Sequence, residues 1–251
     1  MSTYVMSDIH GCKAELDAML EQICFSEYDE LWVIGDLCDR GSDNMGVLRT
    51  LMQHPNMHLV FGNHDQWFLR YAQTLIDAKK DPTSVNMTDD LLTWLHFNGG
   101  FATANEFMDL DFPECYDIKC YLENPDYYKE IEVGGKQFLL IHAGLGSYAS
   151  RSVRLSTVPV TELVWSHIGI DDNPFDDRTM IVGHTPTFLY GAAYDGKVIH
   201  GRRADIMHID CGCVYGRALG CVRLNDMKEF YVSSSYPYLA ARATMEEDGE
   251  E

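Results

Sequence analysis

No apolar run in this chain approaches the roughly 20 residues that a membrane-spanning helix needs. The runs that exist, "LWVI" and "FLLI" among them, are short. Residues 3–7, "TYVMS", read as a strand and leave no room for a signal peptide before them, so the expected location is cytoplasmic. No C-x-x-C pair occurs among the eight cysteines, and their spacing is not that of a disulfide scaffold. In a cytosolic chain they are expected to be reduced. A structural zinc set of Cys211, Cys213, Cys221 and His208 has no such pair to support it. Positive charge is scarce: 19 Lys and Arg stand against 39 Asp and Glu, a net charge of −20. Five of those acids lie in residues 245–251, within a tail (241–251) expected to be disordered. The remainder is still acidic, which argues against nucleic acid as a partner, and nothing points to a membrane.

What is present is a chain of 251 residues, 46% hydrophobic, long enough to bury a sizeable core. Its first third alternates strand and helix patterns: "TYVMS", "KAELDAMLEQIC", "ELWVIGD", "NMGVLRTLMQH", "MHLVFGN", "QWFLRYAQTLIDAKK". That order favours parallel strands with right-handed crossovers. "DDLLTWLHF" and "FATANEFM" read as further helices, while residues 109–127 carry no pattern that assigns an element. From Tyr128 the pattern turns to strands, beginning with two runs around the Gly134–Gly135 turn. "TMIVGHT", "KVIH", "IMHID", "ALGCVRL" and "EFYVSS" follow. No repeat or linker is visible. Residues 1–240 are expected to form one mixed α/β domain, with 77–130 as a helical insertion near the site.

Five apolar strands end in residues able to bind metal: "VMSDIHG", "VIGDLCDRG", "VFGNHD", "LLIHAG" and "MIVGHT". Carboxyl ends of parallel strands form the ligand crevice of open α/β sheets. Any one ending reads equally well as a turn, a helix cap or a hydrogen-bonded histidine. Five in one chain, mixing Asp, His and Asn, point to a metal centre. Oxygen and nitrogen donors without thiolate suit Mn²⁺, Fe or Zn²⁺.

"DIHG", "GDLCDRG", "GNHD", "HAG" and "GHT", in this order, closely resemble the phosphoprotein phosphatases of the calcineurin-like metallophosphoesterase superfamily. "WLHFNGG" at 94–100 and "IDCGCVYG" at 209–216 resemble its small bacterial and bacteriophage branch. The resemblance implies an αββα fold, a central β-sandwich of mixed sheets flanked by helices. It implies two divalent ions, with Asp8, His10 and Asp36 holding one. Asp36 bridges to the second, completed by Asn63, His142 and His184. Asp39 partners His64, and Arg40 binds phosphate.

The implied reaction is direct attack on phosphorus by a metal-bridging hydroxide, with His64 protonating the leaving alkoxide. Phosphoserine or phosphothreonine in proteins is the first substrate expectation, a small phosphoester the other. The runner-up activity is symmetrical hydrolysis of diadenosine tetraphosphate, and the non-enzyme reading is a binding protein on a decayed scaffold. In phage-like relatives a second phosphate-binding arginine follows a tryptophan closely. Here "LVWSHIG" puts His167 at that place, so either His167, or else Arg151, Arg154 or Arg178, is the substitute, or phosphate is bound more weakly.

Overall fold

The computed structural model describes residues 1–203 and 205–236. The expected acidic tail, 241–251, lies outside the described residues. Strand β1 (Thr3–Met6) is followed by helix α1 (Lys13–Gln22), β2 (Glu30–Ile34), α2 (Asn44–Gln53), β3 (Met57–Val60) and α3 (Asn63–Lys80). Three helices then run in succession: α4 (Asp89–Phe97), α5 (Gly100–Asp109) and α6 (Phe112–Leu122). The hairpin β4 (Tyr128–Val133) and β5 (Lys136–Ile141) precedes α7 (Val160–Trp165) and β6 (Thr179–Val182). Four strands close the order: β7 (Ile199–His200), β8 (Ile206–His208), β9 (Ala218–Arg223) and β10 (Lys228–Ser233).

Two five-stranded mixed sheets result, ordered β10-β9-β1-β2-β3 and β4-β5-β6-β8-β7. β1, β2 and β3 pair in parallel, and so do β5, β6 and β8; the outer pairings are antiparallel. Each central strand is apolar on both faces because both faces are covered. Val5, Ile34, Phe138, Leu140 and Ile181 pack between the sheets, while their neighbours Tyr4, Met6 and Val33 pack under the helices. Leu139, Ile141, Met180 and Val182 face the opposite side, against Leu163 and Val164 of α7. The two-residue period of a strand thus divides one chain into three apolar layers, the αββα order that the sequence implied.

The sequence left 109–127 unassigned, and it contains α6. Asp111 caps that helix by accepting from the Glu114 amide, with proline in the first turn. Its buried face is Cys115, Ile118 and Leu122, spaced three and four apart but interrupted by charge and tyrosine. "KVIH" keeps only two residues as strand. Among the described residues, no helix is long and apolar enough to cross a membrane.

Candidate metal centre

The ends of β1, β2, β3, β5 and β6 converge, and the backbone there is unusual. Among the described residues, nine non-glycine residues have positive φ, and six of them are Asp8, His10, Asp36, Asp39, Arg40 and His184. Left-handed backbone costs an L-residue energy, so it persists where surroundings impose it, commonly at functional sites. Asp and His tolerate it best, which suits the residue types found. Crowding also explains two glycines: a Cβ on Gly62 would collide with the Asp36 carboxylate, and one on Gly35 with the His142 ring.

Asp36 is the hub. Its Oδ2 lies 3.5 Å from His10 Nε2, 3.4 Å from His142 Nε2 and 4.0 Å from His64 Nε2. Two groups with metal-ligand spacing share it, one with His10 and His64, the other with His142 and His184. Asn63 Oδ1 lies 3.1 Å from His142 Nε2. Asp8 stands beside these groups rather than inside them, and its two oxygens accept from the His184 amide at 3.2 and 3.1 Å.

The imidazoles are preset for ligation. His10 Nδ1 lies 2.7 Å from the Cys38 carbonyl and His142 Nδ1 lies 2.9 Å from that of Ile34. A carbonyl only accepts, so each Nδ1 is the donor, and in the neutral ring Nε2 presents its lone pair towards Asp36. His184 Nε2 is buried without a hydrogen-bond partner. An orphaned buried nitrogen and two oriented ones around one carboxylate fit a divalent ion of intermediate hardness.

Charge in the centre leads the same way. Burial and the nearby Asp210 push the Asp8 carboxyl well above its usual range. Asp210, itself buried, is pushed up to about 7 by burial and Asp36. Asp36 goes the other way: burial opposes ionisation, but His142 and His64 hold it well below the usual range. Burial keeps His10 and His184 neutral, helped by Arg40 beside the first and His142 beside the second. Against the effect of burial, Asp36 pushes His142 up to about 10, so this imidazole carries the positive charge beside Asp36 while His10 and His184 stay neutral, and the raised carboxyls of Asp8 and Asp210 still want a cation.

Asp39 turns away from Asp36, as the pairing with His64 requires. Its Oδ2 accepts from His64 Nδ1 at 2.6 Å and from Trp94 Nε1 at 2.8 Å, and its Oδ1 accepts from Thr103 Oγ1 at 2.5 Å. Helices α4 and α5, part of the stretch expected to be an insertion near the site, supply both extra donors. Arg40 Nη1 contacts His10 Nε2 at 3.0 Å, its guanidinium lies 5.5 Å from the Tyr215 ring centroid, and its carbonyl accepts from Tyr236 Oη. His167 is exposed at the rim, its ring 5.2 Å from that of His184 and its Nδ1 3.1 Å from Thr185 Oγ1. Arg151 pairs with Asp176, and Arg178 with Asp177 and Glu130, on the walls of one surface cleft that Arg154 also lines. That cleft contains none of the centre's residues.

Several contributors were missed by sequence reasoning or read only as metal-competent or capping residues, as Asp65 was. Asp65, in "GNHD", is fully buried and accepts from the amides of Asp36, Leu37 and Gly62 at 2.8, 2.9 and 2.9 Å, stapling two loops together. Trp94, Thr103 and Asp210 were given no role, although "WLHFNGG" and "IDCGCVYG" contain two of them. The zinc set imagined around Cys211 and Cys221 is replaced by a different grouping, since Cys213 gathers with Cys12 and Glu15. Of the other histidines, His54 bonds the Thr50 carbonyl, while His58 and His200 pair with Glu30 and Glu229.

Residues 1–212 match the family described as calcineurin-like phosphoesterase. A protein of Psychromonas ingrahamii named bis(5'-nucleosyl)-tetraphosphatase, symmetrical, is 38% identical, over 92% of this chain and 96% of its own. One of the same name from Nitrosospira multiformis is 26% identical over 92% and 95%. Among solved structures, one provisionally assigned as a diadenosine tetraphosphatase superposes with a TM-score of 0.63 at 20% identity, over 93% of each chain. A metallophosphoesterase from Sphaerobacter thermophilus gives 0.57 at 17% identity, over 99% and 95%. At those identities the structures speak for the fold alone.

Proposed function

The chain belongs to the calcineurin-like phosphoesterase family, and on that footing we propose that it hydrolyses dinucleoside tetraphosphates symmetrically, releasing two nucleoside diphosphates. The observation that carries this reading is the 38% identity, over nearly the whole of both chains, to a relative of that name. It reverses the order drawn from sequence motifs, which put phosphoserine and phosphothreonine first.

In this reading Asp8, His10 and Asp36 hold one cation, and Asp36, Asn63, His142 and His184 the other. Mn²⁺ is the proposed metal, with Fe and Zn²⁺ as alternatives that suit the same oxygen and nitrogen donors. When bound, the metal pair supplies Lewis acidity and a water of lowered pKa. The protein's own groups do the rest. Arg40, already against His10, gives a forked contact to phosphate oxygens. His64, held through Nδ1 by Asp39, presents Nε2 to the centre and can hand a proton to the leaving oxygen. Trp94 and Thr103 fix the Asp39 carboxylate so that the ring keeps its orientation. His167 faces substrate phosphates from the rim.

Incubation with Mn²⁺ and diadenosine tetraphosphate should yield ADP alone. ATP with AMP, or turnover of phosphopeptides but not of the dinucleotide, would overturn the reading. Metal-loaded protein that turns over neither would favour the binding-protein alternative.

A further inference from the structure

A symmetrical cut leaves two phosphates between the reacting bond and each nucleoside. A nucleoside site must therefore lie one side chain beyond the centre, reached along its rim. The rim residue beside His184 is His167, and behind His167 a cavity of about 360 Å³ opens. The larger surface clefts contain none of the residues proposed as metal ligands, nor His64 or His167.

This cavity has the composition of a small-molecule site, apolar walls with few polar groups, and a size in the usual range of roughly 300–1,000 Å³. Ala149 and Ile168 give it apolar surface, backed by the buried Leu145 and Met180, and Asp172 stands on its lining with an exposed carboxylate. Its walls continue the centre's own loops. Leu145 and Ala149 follow His142 out of β5, and Ile168 is next to His167. The walls are held in place: Tyr190 Oη donates to the Ile168 carbonyl at 2.7 Å, and Asp172 Oδ2 accepts from the Gly169 amide at 2.7 Å. Asp171, next to Asp172, is tied down by the Arg202 and Arg203 amides.

We propose that this cavity binds one purine nucleoside of the substrate, the base against Ala149 and Ile168, the ribose hydroxyls on Asp172. A carboxylate accepting from ribose hydroxyls is a recurring recognition device. His167 then flanks the diphosphate that connects cavity to centre. The proposal rests on the dinucleotide reading and names the substrate group that this rim selects.

The test fills the cavity from its exposed edge with Ala149→Phe. Two quantities are measured: ADP affinity by equilibrium dialysis, and the ratio of kcat/KM for diadenosine tetraphosphate over p-nitrophenyl phosphate. At least a tenfold fall in both is expected. Values equal to wild type overturn the subsite. Should Ala149→Phe fail to fold, Asp172→Asn, a surface change, must weaken ADP at least fivefold while 2',3'-dideoxy-ADP binds both proteins alike; equal loss for the two nucleotides overturns the ribose contact. If wild-type protein does not cleave the dinucleotide, the proposed function falls, and ADP dialysis alone decides the cavity.

Discussion

Replacing Asp39 with Asn tests whether the His64 pairing serves the leaving group. Asp39 is wholly buried, with Oδ2 shared by His64 and Trp94 and Oδ1 facing Thr103. An asparagine can keep its oxygen on the His64 and Trp94 side and turn its amide towards Thr103 Oγ1, which can accept. The His64 and Trp94 contacts survive, the Thr103 hydroxyl must turn its proton away from residue 39, and the charge facing the imidazolium is lost. Hydrogen bonds to a charged group are worth about 1.5–3 kcal/mol against about 0.5–1.5 for neutral ones. The difference, about 1–1.5 kcal/mol, corresponds to roughly tenfold in rate. That loss should appear only where the leaving oxygen needs a proton. A phosphoserine alkoxide is a strong base, whereas a departing nucleoside diphosphate is the anion of a group titrating near about 6. Steady-state kcat should therefore fall about tenfold for phosphoserine peptide, if it is turned over, or for an alkyl phosphate, and by less than threefold for diadenosine tetraphosphate and p-nitrophenyl phosphate. A uniform loss across all of them would refute the assignment of His64 as leaving-group acid.

Chelation should abolish hydrolysis and Mn²⁺ restore it; His184→Asn should lower bound manganese from two per chain to about one, as read by elemental analysis. Metal-free protein should lose thermal stability as pH rises. Asp36 pushes His142 up to about 10 against the effect of burial, and burial with Asp36 pushes Asp210 up to about 7. Both pKa values are raised on folding, so their contribution is present at low pH and is lost through those values. His10 and His184, whose lowered values act in the opposite sense, are fully neutral by about pH 7, so the melting midpoint in EDTA should fall from pH 7 to 9 and the stabilisation by Mn²⁺ should widen; a rising midpoint over that range contradicts the charge reading. His167→Arg should lower KM for phosphoester substrates severalfold and His167→Ala raise it, since a fixed cation beside His184 would contact phosphate directly. Hydrolysis in ¹⁸O-water should place one label in the phosphoryl product, and unlabelled product would rule out direct attack by water.

Much of the architecture was legible because strands buried on both faces have a strong pattern. β1, β2 and β3 read as apolar runs, each followed by an amphipathic helix, and β5 and β6 read equally well. What failed was the part stabilised by polar anchoring. α6 starts with an Asp111 cap and a proline, a readable start signal, but its face is built on a cysteine and only two aliphatic residues. The zinc set, which the lack of a C-x-x-C pair already argued against, shows the limit of closeness in sequence: the fold sends Cys213 away from Cys211 and Cys221 to Cys12 and Glu15 across the β1 loop.

The site divides in the same way. Residues that end strands announce themselves, because a carboxylate or imidazole after an apolar run has no packing reason to be there. Asp65, Trp94, Thr103 and Asp210 do not, since each acts on another side chain or loop rather than on a ligand. Asp65 is the clearest case. It reads as the third residue of a helix start and does accept from the Gly62 amide, as a capping carboxylate would. The same carboxylate also accepts from Asp36 and Leu37, so the helix cap is at once the clamp on the β2 loop. That clamp holds Asp36 at φ 57°, in the left-handed region that lets its Oδ2 face three histidines. Strain at the hub is thus met by three backbone hydrogen bonds from a residue that never touches the hub's carboxylate. Such support is visible only once both loops are folded, which is why five motifs could mark the centre without revealing what holds it open.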